Sequence, residues 1–337
     1  MPFIANHRQP VDPENEEPAH KLAFVLSGGG PRGAMQVGAL RALMEADIVP
    51  DILVGTSIGA VNSVYLARFG YSLETLDYII DVWDSSARGN MAFGDFVQAV
   101  LRTLLPGINS NSYLEQARAF HSKHGITPNL RFKDLTGPEL YIVTADISNH
   151  KITVFGEDPE DLVLESMLAS VAIPPWIPPL EINGSLYLDG GAVSDVPIEP
   201  AIRMGATEMI VLDLFNPPPP SNKIQGVKPL MDRVFTTMEA RHLELEMALA
   251  ELKGIPVRHW LLRYHIDIPL WDMSHTHNLI HVGYETAKTY LDEMEQEEAD
   301  LTVQEAAAAR PITLSARWEA WQDRIRALFS GTTRHSP

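Results

Sequence analysis

Apolar and polar positions begin to alternate with a clear rhythm at Lys21. Residues 22–27 (LAFVLS) form a short apolar run that ends in Gly28-Gly29-Gly30, which predicts a buried strand entering a tight loop. Residues 34–46 (AMQVGALRALMEA) carry apolar side chains at helical spacing. Residues 51–54 (DILV) predict a second buried strand, and 58–69 (IGAVNSVYLARF) a second helix closed by Gly70. Strand, helix, strand, helix is the order of a parallel α/β sheet.

Further along, 73–83 and 93–105 read as helices. Residues 141–145, 151–155, 186–188, 209–214 and 257–266 read as strands. Gly205-Ala206 before MIVLDL repeats the helix-to-strand rhythm, and the prolines at 217–220 predict a rigid connector. Between 230 and 252 the apolar residues at 230, 234, 238, 245, 249 and 252 make a helical stripe closed by Gly254. Residues 295–300 (EQEEAD) are a solvated acidic stretch, and no internal repeat is visible. The fold class expected is α/β: a mostly parallel central sheet flanked by helices in three layers, with a helical C-terminal extension. The expected divisions are a polar tail at 1–20, a main domain at 21–292 and the extension at 293–337.

The last segment, 315–329, puts Trp318, Trp321, Ile325, Leu328 and Phe329 on one helical face with Arg317, Arg324 and Arg326 nearby. Two readings stand: a helix docked on its own core or a partner, or an interfacial membrane helix.

Charge and composition narrow the function. The formal net charge is −18 over 337 residues. Nucleic-acid affinity rests on Lys and Arg, so no nucleic-acid partner is expected. The chain has no cysteine, which removes disulfides, thiol nucleophiles and thiolate zinc sites together. The first twenty residues lack the basic start and apolar run of a secretory signal, and no apolar run is long enough to span a bilayer. A cytoplasmic location is expected, with peripheral membrane contact left open.

Three motifs carry candidate chemistry. Gly55-Thr56-Ser57-Ile58-Gly59 has the form G-x-S-x-G between a predicted strand and helix, the setting of a nucleophile elbow. Small flanking residues allow the sharp turn, and the helix N-terminus faces developing negative charge. Ser27-Gly28-Gly29-Gly30-Pro31-Arg32-Gly33 can turn backbone N–H groups toward an anion because no side chain blocks the approach. An oxyanion or a phosphate would each fit. Gly28-x-Gly30-x-x-Gly33 also matches the dinucleotide pattern, yet the second strand ends in Gly55-Thr56-Ser57 and lacks the acidic residue that holds a ribose. Asp189-Gly190-Gly191 follows a predicted strand and is a carboxylate at a turn. A Ser-His-Asp arrangement stays open, with His265, His275, His277 or His281 as the imidazole. Asp146 and Asp213 end strands and are expected to cap turns. Asn109, Asn111 and Ser112 are expected to cap a helix, and 91–105 to pack in the core or line an acyl pocket. The pair His275 and His277 lacks a third ligand at convincing spacing, so no metal and no cofactor are expected.

SGGGPRG (27–33), GTSIG (55–59), the proline-rich block ASVAIPPWIPPL (169–180) and DGG (189–191) occur in an order that resembles the patatin-like phospholipase family. Residues 271–291 resemble the helical end of the bacterial family domain, so the resemblance covers about 21–292. Ser27 stands where many members have Asp. The resemblance implies a Ser-Asp dyad of Ser57 and Asp189, with an oxyanion hole from the Gly29 and Gly30 amides. Gly28, Arg32 and Gly33 would shape that loop, and Gly55, Gly59, Gly190 and Gly191 would flank the two catalytic residues. It further implies a serine acyl hydrolase acting on lipid esters, of phospholipase A or lysophospholipase type. The alternative from the residues alone is a non-hydrolytic nucleotide- or phosphate-binding α/β protein.

Overall fold

The computed structural model describes residues 20–88, 111–174, 176–217, 224–266, 268–269 and 272–308. The side chains of 111–113, 228, 298 and 301–308 are outside that description. The expectations for the tail at 1–19, for 91–105, for Asn109, for 218–220 and for the aromatic segment 315–329 therefore lie outside the described residues. Two compact units divide the chain, Met1–Lys288 and Thr289–Pro337.

The first unit is built on an eight-stranded sheet. Its parallel centre consists of β1 (Leu22–Leu26), β2 (Ile52–Thr56), β3 (Glu139–Asp146), β7 (Glu208–Asp213) and β8 (Val257–Leu261), in the order β3-β2-β1-β7-β8. β1 and β2 are short aliphatic runs buried on both faces, as strands in a sheet covered by helices must be. Helices α1 (Gly33–Glu45) and α2 (Ile58–Phe69) follow β1 and β2 directly. Next come α3 (Leu73–Arg88), α4 (Asn111–Lys123), α5 (Val163–Ser170), α6 (Ile198–Arg203), α7 (Val227–Leu252) and α8 (Thr276–Ala308). α8 reaches α1 through two glycines. A Cβ on Gly38 would strike Ile280 O, and one on Gly283 would strike Met35 O, so only glycine lets the helices approach this closely.

Three antiparallel strands complete the sheet, and they decide where the site forms. β4 (Lys151–Phe155) covers one edge of β3 from 142 to 146. The other edge is shared. β2 pairs with β3 up to Thr56↔Val143, and β6 (Ser185–Asp189) takes over at Thr144↔Asp189. The end of β2 and the end of β6 thus meet at one point, one residue before Ser57. β5 (Leu180–Ile182) pairs with β6 as a hairpin.

Most sequence-predicted elements are present with small changes at their ends. The strand expected at 257–266 stops at Leu261: Leu262 N donates to Asp213 O at 2.7 Å, the last rung beside β7, which itself ends at Asp213. β5 begins at Leu180, the last residue of the proline-rich block, where the sequence offers no strand pattern.

Candidate active site

Ser57 occupies the turn between β2 and α2 with φ 54° and ψ −123°. This region is sparsely populated for any residue with a side chain. An outside hydrogen bond holds it there. Ser57 N donates to Ser170 Oγ at 2.9 Å, and Ser170 Oγ donates to Val143 O at 2.7 Å. Ser57 Oγ in turn donates to Asp189 Oδ2 at 2.6 Å, and both residues are buried. The second carboxylate oxygen accepts from Gly191 N at 2.8 Å. Burial pushes the Asp189 carboxyl up to about 7, against the lowering effect of the Ser57 and Gly191 hydrogen bonds. Such a carboxyl is a stronger base than an exposed one and still ionises near neutral pH.

A side chain would collide at Gly190 and be crowded at Gly191. A Cβ on Gly190 would strike Val143 O, and one on Gly191 would lie 3.1 Å from Asp189 Oδ1. Gly55 and Gly59 admit the α2 backbone against β1 and β2, since added Cβ atoms would meet Ala60 and Leu26 main-chain atoms.

The glycine loop lies beside this pair. Gly28 is so close that an added Cβ would be 3.2 Å from Ser57 Cβ. Gly28 N donates to Asp195 O at 3.2 Å. Gly29 and Gly30 have φ 155° and 58°. Among the described residues no acceptor takes the N–H of Gly29 or Gly30. Arg32 Nε donates to Gly29 O at 3.2 Å, and Gly33 packs on Ile58 at the start of α2. The structure therefore brings residues 28–33, Ser57 and Asp189 to one end of the sheet.

Several residues around the site were not legible as functional. Gln36 Nε2 donates to Ser27 O and Leu212 O at 2.9 and 3.2 Å, and Asn62 Nδ2 donates to Gly33 O and Gln36 Oε1 at 3.0 Å each. These buried amides pin the glycine loop to the sheet. A polar residue inside an apolar helical run was the available signal. Ser170 and Asp195 carried no signal of their own. Glu246 on α7 accepts from Ser194 Oγ, from Ile198 N at 2.6 Å and from Glu199 N at 3.0 Å, and so ties α7 to the segment after Asp189. Burial pushes its carboxyl up to about 7.

A cavity of about 60 Å³ opens next to the glycine loop, lined by Gly28, Gly29, Arg32, Asp195, Phe215 and Glu239 among others. Burial raises both the Asp195 and the Glu239 carboxyls. Glu239, Asp189 and Asp213 raise Asp195 further, while Arg32 pulls both down.

The histidines weighed for a triad are engaged elsewhere. His275 lies near Asp272, His277 pairs with Asp84 at 3.1 Å, and His281 lies near Glu285. His265 packs against the Tyr264 ring. Among the described residues no imidazole hydrogen-bonds to Ser57 or Asp189, and no group of His, Cys, Asp or Glu is placed to hold a metal ion. Asp146 accepts from Ser148 N and Asn149 N, and Asp213 from Phe215 N, so both cap turns. No described helix is long and apolar enough to cross a membrane.

Comparison with known proteins points to the same family as the resemblance. The chain is similar to mouse patatin-like phospholipase domain-containing protein 7, at 28% identity over 197 residues, covering 57% of this chain and 13% of that protein. It is similar to lysophospholipase NTE1 of Phaeosphaeria nodorum, at 28% identity over 193 residues, covering 57% of this chain and 12% of that one. The chain thus spans about an eighth of the length of these relatives. Among solved structures, VipD from Legionella pneumophila aligns with TM-score 0.43 and 12% identity over 82% of this chain and 67% of that one. A sequence profile described as patatin-like phospholipase matches residues 24–202, more than half of the chain. The chain belongs to the patatin-like phospholipase family.

Proposed function

We propose that residues 21–292 form a serine-dependent lipid acyl hydrolase with phospholipase A or lysophospholipase-like activity. The observation that carries this reading is the 2.6 Å bond from Ser57 Oγ to Asp189 Oδ2, made by a serine held at φ 54° on a strand-to-helix turn. Family membership and the lysophospholipase name of one relative point to a lipid ester as substrate.

In this reaction Ser57 Oγ attacks the ester carbonyl carbon and its proton passes to Asp189 Oδ2. The carbonyl oxygen becomes an oxyanion, received by the N–H groups of Gly29 and Gly30. Collapse breaks the bond to the leaving alcohol, which takes the proton from Asp189. Water then attacks the acyl-enzyme and gives a proton to Asp189. The second collapse breaks the bond to Ser57 Oγ, which recovers that proton as the fatty acid leaves. A serine hydroxyl is a far weaker acid than any carboxyl. Proton transfer to Asp189 is feasible because burial has raised its basicity and because the two amides stabilise the product charge.

Asp189 must be ionised to begin. Its carboxyl is raised to about 7, so kcat/KM should rise with pH through that value and level off above it. A rate that is flat from pH 5 to 9 argues against Asp189 as the base. A fluorophosphonate probe should label one serine, and Ser57→Ala should abolish the label. Asp189→Asn should fold and lose turnover by about 10³-fold or more on a panel of phospholipids and lysophospholipids. Labelling that persists in Ser57→Ala, or normal turnover in Asp189→Asn, sinks the assignment. The phosphate-binding alternative gains little from the cavity beside the loop, whose lining sets two carboxyls, Asp195 and Glu239, against the single guanidinium of Arg32. A heat of binding with NAD(H) and no label would revive it.

A further inference from the structure

α7 has two faces of opposite character. Thr236, Glu239, Leu243, Glu246, Met247 and Ala250 recur at helical spacing on the inner face. Leu243, Met247 and Ala250 pack into the core, and Thr236 and Glu239 line the cavity beside the glycine loop. At 100° per residue, Val227, Leu230, Met231, Val234, Phe235 and Met238 form a stripe along the first turns that flanks this face, from about 40° away from Glu239 at Phe235 to about 180° away at Leu230. These six are between 39% and 67% exposed. A surface helix ordinarily turns its polar side outward, so this stripe is inverted.

We propose that this outer face of α7 docks on a zwitterionic phospholipid surface and holds the cavity against it; the proposal rests on the acyl hydrolase reading above. Three observations favour that occupant. The first is position. The turns that expose Phe235 and Met238 also send Thr236 and Glu239 into the cavity, and Phe235 is about 40° from Glu239 around the helix, so a bilayer against this stripe lies within about one helix diameter, ~10 Å, of the cavity. The second is width. The six side chains spread over about 140° of the helix. That is broader than the narrow seam of a helix pair, and Arg241 interrupts any continuation as a regular seam. A fluid surface accepts such a stripe better than a second copy of the chain does. The third is charge. Arg241 is paired with Glu244 at 2.8 Å, and the whole chain carries −18, so an anionic bilayer is disfavoured.

The test uses the Ser57→Ala chain, which binds without hydrolysing, and phosphatidylcholine vesicles in a flotation assay. Binding is expected, and the pair Met231→Glu with Phe235→Glu should weaken it at least tenfold. In the active chain the same pair should cut turnover of vesicle phosphatidylcholine at least tenfold. It should leave hydrolysis of a short-chain monomeric p-nitrophenyl ester within twofold. Because the chain has no cysteine, Phe235→Cys carrying an environment-sensitive fluorophore gives a second reading that does not depend on the charged pair folding. Its emission should shift to the blue when vesicles are added. Absence of vesicle binding, unchanged binding by the pair, an unmoved spectrum, or a dimer that the pair dissociates would each overturn the proposal. Vesicle binding without any ester hydrolysis would remove the hydrolase reading on which it rests. Ester hydrolysis without vesicle binding would remove the docking face alone.

Discussion

Two strand-to-helix turns lie side by side at the ends of neighbouring parallel strands, and they are built differently. The β1–α1 turn uses three consecutive glycines, with φ 155° at Gly29 and 58° at Gly30. Glycine takes such angles without steric penalty. The loop is held through its main chain: Gly28 N donates to Asp195 O, and the Gln36 side-chain amide donates to Ser27 O. The β2–α2 turn also needs a positive φ, yet it carries Ser57. A side chain in that region costs about 1–3 kcal/mol. The strain persists because Ser170 Oγ captures the Ser57 N–H. A turn that offers main-chain donors can be made of glycine. A turn that must offer a hydroxyl cannot, so its neighbours have to hold it.

The largest test of that contrast is Gly29→Ala. The new Cβ would lie 2.8 Å from Leu214 Cβ and Cδ1, at a φ that alanine avoids. The loop must rotate, and its amides leave the proposed oxyanion position. kcat should fall by about 10²–10³-fold, the usual effect of losing such a donor. Steady-state kinetics on a soluble ester measures it; a kcat near wild type would mean that the Gly29 and Gly30 amides do not serve the reaction.

The second test separates function from stability at Asp189. Its carboxyl is at about 7 in the folded chain and near 3.8 when exposed. The folded state therefore holds its proton more tightly. This contribution to stability is full below about 3.8, declines as pH rises between the two values, and is lost above about 7. The shift corresponds to about 4 kcal/mol as an upper bound. Asp189→Asn removes the ionisable group while its amide can still accept from Gly191 N and donate to Ser57 Oγ. Loss of the charge also relieves Asp195, in the same direction. The inactive variant should be more stable than wild type at pH 8 by about 2–4 kcal/mol, with the gap closing toward pH 4. Glu246 titrates in both proteins and cancels. Denaturant melts at the two pH values decide it, and equal stability at pH 8 would contradict the raised carboxyl.

A smaller effect is expected at Ser170→Ala. It strands the buried N–H of Ser57 and the carbonyl of Val143, which costs about 1–3 kcal/mol. kcat should drop about tenfold with KM nearly unchanged, because the hydroxyl loses its orientation while the substrate contacts remain. A purely structural role would lower the melting temperature and leave kcat intact.

The two turns themselves were legible because each announces its geometry locally. Consecutive glycines after an apolar strand, and a G-x-S-x-G before a helical pattern, specify backbone shape within a few residues. The parallel centre followed from the same alternation. What holds the turns in place was not legible. Ser170 lies 113 positions from Ser57 and Asp195 lies far from Gly28 in sequence, and they meet only because β6 replaces β2 along the edge of β3. That exchange depends on pairing register, which alternation does not encode. The hairpin strand β5 was hidden for a related reason. Prolines precede it, and its three residues draw their order from β6. The exposed stripe on α7 was visible as periodicity, but periodicity alone does not tell an inner face from an outer one.

The smallest predicted effect probes where the two turns touch. Gly33 opens α1 with φ −54°, an ordinary helical value, so alanine is allowed by the backbone. Its added Cβ would strike the Ile58 side chain at the start of α2. Helix propensity favours alanine over glycine by about 1 kcal/mol. Overpacking against Ile58 opposes it by about 1–3 kcal/mol. Gly33→Ala should therefore change stability by no more than about 1–2 kcal/mol, toward destabilisation. Ile58→Val alone should cost about 0.5–1.5 kcal/mol. Combined, the two should be more stable than their sum implies, because valine removes the group that alanine strikes. A coupling of at least about 0.5 kcal/mol in the double-mutant cycle would show that the turns are packed as one unit. Additive effects would mean that the glycine loop and the serine turn tolerate change independently, with only the shared strands between them.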